Sequence, residues 1–127
     1  SKYISEKYPW ADLYKLRQKN SCEDEPGTII ELEHPSEPNK HHTILCMMSQ
    51  WYPGKPNVYK KYYSNKYDDT YENRKKWFKE CLDILDENNY GIVAIPYGIG
   101  CGLAGGKWSE YKKMLEECKT KIVIYKL

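Results

Sequence analysis

Residues Gly91 to Glu117 read GIVAIPYGIGCGLAGGKWSEYKKMLEE, and the order of chemistry along them decides the fold class. GIVAIP is a short apolar run that stops at Pro96, the pattern of a buried strand. Five glycines follow, at 98, 100, 102, 105 and 106. Beyond them Tyr111, Met114, Leu115 and Cys118 share one helical face, with Ser109 predicted as the N-cap. Strand, glycine loop and helix make half of an α/β unit, and the closing KIVIYKL supplies the strand that completes it.

The chain before this unit extends the same alternation. Trp77, Phe78, Cys81, Leu82 and Leu85 recur at three and four, which predicts a helix from Thr70 to about Asp86. Asp69 and Glu72 are read as an acidic capping pair at its start, and NNYG closes it. Two strands are predicted earlier: TIIEL at Thr28 to Leu32, and HTILCMMS at His42 to Ser49, apolar almost throughout and suited to a sheet covered on both faces. SCEDEPG and HPSEPNK are polar connections. The opening SKYISEKYPWADLYKLRQKN reads as a helix, a break at Pro9 and a second short helix. WYPGKPNVYKKYYSNKYDD lacks a clean period, so a long surface loop with one short helical turn is expected, of the kind that borders binding sites. Helix, strand, strand, helix, strand, helix, strand predicts one domain over residues 1–127, a three-layer α/β domain with a mixed or mostly parallel sheet.

Composition narrows the function classes. Lys and Arg number 20 against 18 Asp and Glu, and a net charge of +2 gives no electrostatic case for dedicated nucleic-acid binding. Five cysteines at irregular separations read as reduced thiols, which predicts a cytoplasmic location, extending to the nucleus. Without an apolar run near the roughly 20 residues of a membrane helix, no membrane partner is predicted. Thirteen tyrosines against one phenylalanine supply amphipathic rings for a groove or an interface.

The glycine loop is the leading site because ligands of open α/β sheets bind beyond the carboxyl ends of the strands. Glycines there can take positive φ and leave backbone N–H groups for an anion such as phosphate. The competing reading is a tight strand-to-helix turn with no ligand. Neither GxxxxGK[ST] nor a GxGxxG after the first strand is present, so P-loop and ordinary dinucleotide-binding readings fail. His41 and His42 stand at the wrong end of their predicted strand and are read as surface or edge residues. Asp68, Asp69 and Glu72 are explained by the helix start. No CxxC or HExxH spacing occurs, so no metal site and no cofactor are predicted.

The same stretch, with its Ile-Pro strand end, Ile-Gly-Cys-Gly-Leu core, Gly-Gly and following aromatic, resembles the macrodomain family, which binds ADP-ribose and related compounds. MMSQWY at Met47 to Tyr52 and TYENRKKWFKECLDIL are similar to the strand and helix that precede the family's phosphate loop. The resemblance implies a three-layer α/β/α fold with a mixed central sheet. It implies that Ile99, Gly100, Cys101, Gly102, Leu103 and Ala104 form the loop around the diphosphate and distal ribose, that Gly98 lets this loop approach closely, that Tyr97 and Leu103 wall the pocket, and that Pro96 is a further ligand-binding residue. Gln50 and Trp51 fall at the rim, and Tyr125 on the adenine side or as an ordinary strand aromatic. Cys101 is given a packing role, and Trp108 is read as a plug for the helix. Family members carry a strand, an adenine-binding acid and another glycine loop ahead of the helix that SKYISEKYPWADLYK resembles. The resemblance therefore implies an omitted segment, a second chain that completes the fold, or an incomplete site. A deacylating branch of the family has an aspartate where Ala104 stands. The closer likeness is to the branch that hydrolyses ADP-ribose 1''-phosphate, with a noncatalytic ADP-ribose-binding module and an ADP-ribosyl glycohydrolase as alternatives. No catalytic residue is assigned. Gly100→Glu is expected to abolish ligand binding with little change in folding.

Overall fold

A computed structural model of the chain describes residues 2–16, 25–34, 36 and 43–126. Cys22, His41 and His42 lie outside them, as does most of HPSEPNK. Among the described residues, four α-helices and four strands are formed: α1 (Lys2–Lys7), α2 (Leu13–Leu16), β1 (Thr28–Leu32), β2 (Ile44–Met48), α3 (Tyr71–Glu87), β3 (Val93–Pro96), α4 (Trp108–Glu116) and β4 (Ile122–Tyr125). Their order is the one the sequence predicts, and the break at Pro9 is a single 3-10 turn, Pro9–Ala11, between α1 and α2.

The described residues form a small α/β domain with two two-stranded ladders. β1 and β2 pair antiparallel, with Ile29 opposite Met47 and Ile30 opposite Cys46. β3 and β4 pair parallel, with Val93 opposite Ile122 and Ile95 opposite Ile124. A parallel pair needs a long crossover, and here the glycine loop and α4 provide it. Both ladders face α3: Phe78, Leu82 and Leu85 join Ile95 of β3 and Tyr111 and Leu115 of α4 in one buried cluster, against which Ile29, Leu45 and Met47 also pack. Burial of a side chain such as Leu85 contributes about 1.5–3 kcal/mol relative to its exposure.

α3 keeps its predicted length but not its predicted cap. Thr70 is the N-cap, its hydroxyl accepting from the Asn73 N–H at 3.0 Å, while Asp69 points inward. α4 likewise starts two residues early, with Lys107 rather than Ser109 at the cap. The loop from 51 to 69 contains the short helical turn, Lys60–Tyr62, but it is not all surface. Trp51 and Tyr52 are buried with Trp77 in a second cluster, flanked by Tyr63 and Tyr67. Its tyrosines supply enough apolar ring area to build a small core of their own.

Candidate functional site at the glycine loop

The chain leaves β3 at Pro96 and turns at once. Tyr97 donates its N–H to the Tyr125 carbonyl at 2.7 Å, which extends the parallel pairing one residue past the strand. Ile99 then donates to Pro96, Cys101 to Gly98, Gly105 to Gly102 and Gly106 to Gly100, over 2.9–3.2 Å, so the loop is a series of tight turns. Two positions require glycine for steric reasons. A Cβ at Gly100 (φ +75°) would lie 2.9 Å from Cε1 of the buried Tyr111, and one at Gly106 would lie 2.6 Å from the Gly100 carbonyl oxygen and 2.7 Å from the same ring. The loop is thus wrapped around Tyr111. This corrects the expectation that Gly100→Glu leaves folding unchanged, because the new side chain meets a core ring. At Gly102 nothing stands within 4 Å.

Among the described residues, the N–H groups of Gly98, Gly100, Gly102, Leu103 and Ala104 donate to no protein acceptor. Backbone N–H groups without protein acceptors suit an anion. The loop sits past the carboxyl ends of β3 and β4 and beside the first residue of α3: a Cβ at Gly105 would lie 2.9 Å from the Tyr71 hydroxyl and 3.1 Å from Cγ of Lys55.

The predicted site residues divide into three groups. Pro96, Tyr97 and Tyr125 converge at the strand ends, where the Tyr97 ring packs against the Trp108 ring with centres 4.8 Å apart. Ile99 and Cys101 pack inward on the core cluster, and Leu103 is 90% exposed at the loop's crest, so it walls no enclosed cavity among the described residues. Gln50 and Trp51 lie apart from these. Gln50 is exposed and its amide donates to the Tyr52 carbonyl, whereas Trp51 is turned into the second cluster rather than toward the rim, its indole N–H donating to the Ser64 carbonyl at 2.6 Å.

Arg74, absent from the sequence-based expectations, connects the two regions. It is 2% exposed, and its guanidinium donates to both oxygens of Asp69, which is fully buried. The remaining donors reach the Gly54 carbonyl at 2.6 Å, the Tyr52 carbonyl at 3.1 Å and the Ala104 carbonyl at 3.2 Å. Asp69 in turn accepts the N–H groups of Trp51 and Tyr52 at 3.1 and 2.7 Å. One ion pair therefore fixes the start of α3, the turn after β2 and the glycine loop. Its signal was its place on the apolar stripe, since 74 precedes 77, 78, 81, 82 and 85 by the helical interval.

Burial, and secondarily Glu110, raises the Cys101 thiol, whose hydrogen donates to the Ile99 carbonyl. A raised thiol pKa leaves little thiolate, which favours packing over nucleophilic attack. Tyr111 is pushed up to about 12, chiefly by burial. Cys81, Cys101 and Cys118 are free thiols, and no group of three or more His, Cys, Asp or Glu converges to hold a metal among the described residues. No helix among them is long and apolar enough to cross a membrane. Compared with protein-family models, curated proteins and solved structures, the chain gives no match.

Proposed function

We propose that this chain is a macrodomain-like, ADP-ribose-binding hydrolase that removes the phosphate of ADP-ribose 1''-phosphate. The observation that carries the reading is the glycine loop, whose N–H groups at 98, 100, 102, 103 and 104 are left without protein acceptors beyond a strand's carboxyl end. Such donors bind a diphosphate without a basic cluster, in keeping with a net charge of +2. They would also stabilise charge that develops on a terminal phosphate during its hydrolysis. The packed rings of Tyr97 and Trp108 offer aromatic surface beside the loop, and the Tyr71 hydroxyl lies near Gly105. In this reading the antiparallel and parallel ladders on α3 are two parts of one mixed sheet, in a cytoplasmic or nuclear protein.

The test is release of inorganic phosphate from ADP-ribose 1''-phosphate by the whole chain. Turnover that vanishes in Gly102→Glu, a substitution with open space around it, supports the hydrolase. ADP-ribose binding without phosphate release would instead identify a noncatalytic binding module, and release of ADP-ribose from a modified macromolecule a glycohydrolase.

A further inference from the structure

The net charge of +2 conceals a strong local concentration. From Trp51 to Tyr67 the sequence WYPGKPNVYKKYYSNKY holds four lysines, five tyrosines, a tryptophan and no acid. The structure sorts its rings into two sets. Trp51, Tyr52, Tyr63 and Tyr67 pack with Trp77 beneath the loop, with Trp51 and Tyr67 rings 4.8 Å apart and Tyr67 and Trp77 rings 6.2 Å apart. Tyr59 and Tyr62 face outward, Tyr62 67% exposed, beside the exposed Val58. Lys55, Lys60, Lys61 and Lys66 are all exposed, and the Lys61 ammonium lies 5.0 Å from the Tyr62 ring centre.

The aromatic floor holds these outward groups in place. Trp51 ties the loop to Ser64, Arg74 ties it to Gly54, and Asn57 turns the chain at φ +65°. Asn57, Val58, Lys60, Lys61 and Asn65 line an open hollow of about 530 Å³. Of the acids at the loop's end, Asp69 is buried on Arg74, which leaves Asp68 and Glu72 on the surface.

We infer that the loop from 51 to 67 is a docking surface for single-stranded nucleic acid. Lysines match its phosphates, and exposed tyrosine faces match unstacked bases. An acidic peptide would satisfy the lysines and leave the rings in water. A duplex would present its phosphates but keep its bases stacked. The inference stands independently of ADP-ribose binding, since it uses none of the N–H groups of the glycine loop.

Fluorescence anisotropy of a labelled oligothymidylate of about 12 nucleotides, titrated with the whole chain, reads the inference. Contact with four lysines predicts a slope of log affinity on log salt of roughly −3. Lys60→Glu combined with Lys61→Glu is expected to lower affinity at least tenfold and to halve that slope. Tyr62→Ala is expected to lower affinity about tenfold with the slope unchanged. Both variants change exposed side chains, and unaltered circular dichroism checks that they fold. No binding at about 50 mM salt, variants that bind like the parent, or polyglutamate competing as well as unlabelled oligonucleotide would each overturn the inference.

Discussion

The guanidinium of Arg74 lies against the carboxylate of Asp69, Nε to Oδ1 at 2.6 Å and Nη2 to Oδ2 at 2.7 Å, with both side chains shut off from water. Every remaining polar atom of the pair meets backbone: carbonyls of Tyr52, Gly54 and Ala104 on one side, N–H groups of Trp51 and Tyr52 on the other. Removal of one partner leaves a buried charge uncompensated. Arg74→Ala is therefore expected to destabilise the fold by about 3–5 kcal/mol, measured by urea unfolding. Arg74→Lys should fall between, because an ammonium cannot reproduce the paired donors. A loss below about 1 kcal/mol for Arg74→Ala would show that the pair does not hold these three segments together.

Gly100 and Gly102 should behave differently although they are two residues apart. Gly100→Ala places a methyl group against Tyr111 and forces a left-handed backbone on an alanine, for a cost of roughly 1–3 kcal/mol. Gly102→Ala meets nothing and should leave thermal stability within about 0.5 kcal/mol of the parent. Equal melting curves for the two would contradict the wrapping of the loop around Tyr111.

Much of the fold was legible because it rests on period. The stripe from Trp77 to Leu85 gave α3, and the branched residues of TIIEL gave β1 with its observed ends. Caps were harder, since Asp69 and Thr70 are both competent N-caps and only the partner of each decides. That partner, Arg74, is a charge on an apolar stripe, and its meaning depends on carbonyls from segments 20 and 30 residues away in the chain. Trp51 was read at the rim for the same reason. A tyrosine-rich loop looks polar in sequence, and its burial follows from ring packing between residues 10 or more positions apart. The glycine loop itself was placed correctly between β3 and α4, while the outward position of Leu103 has no local signature.

Thr70 offers a smaller effect. Its hydroxyl is the cap of α3, so Thr70→Ala should cost about 1 kcal/mol and Thr70→Asp almost nothing. Urea midpoints of the two variants read the difference directly.

Asp86 joins the end of α3 to the approach to β4. Its carboxylate accepts from the Cys118 thiol at 2.9 Å and from the N–H and hydroxyl of Thr120 at 2.9 and 2.8 Å. These bonds, that from Cys118 foremost, hold its carboxyl well below the usual carboxylate range. A carboxylate whose pKa is depressed by folding stabilises the fold above its unfolded value of about 3.9, and that stabilisation fades as pH falls toward the folded value. Stability should therefore decline below about pH 4, and Asp86→Asn should flatten this part of the profile. An unchanged acid limb in Asp86→Asn would assign the loss to other carboxylates.

Cys101 should alkylate slowly. Its raised thiol pKa leaves little thiolate near neutrality, so iodoacetamide labelling followed by peptide mapping should show it lagging well behind an unperturbed thiol. Cys101→Ser should keep ligand binding. Fast, selective labelling of Cys101 would contradict a packing role and restore it as a nucleophile.

Under the proposed function, the glycine loop receives a diphosphate joined to a second ribose. Calorimetric titration of the whole chain with ADP-ribose, with AMP and the Gly102→Glu variant as controls, tests it most directly. Saturable heat is expected from ADP-ribose on the parent chain, with little from AMP and none from ADP-ribose on the variant. Absence of heat with ADP-ribose on the parent, or equal heat on the variant, would contradict it.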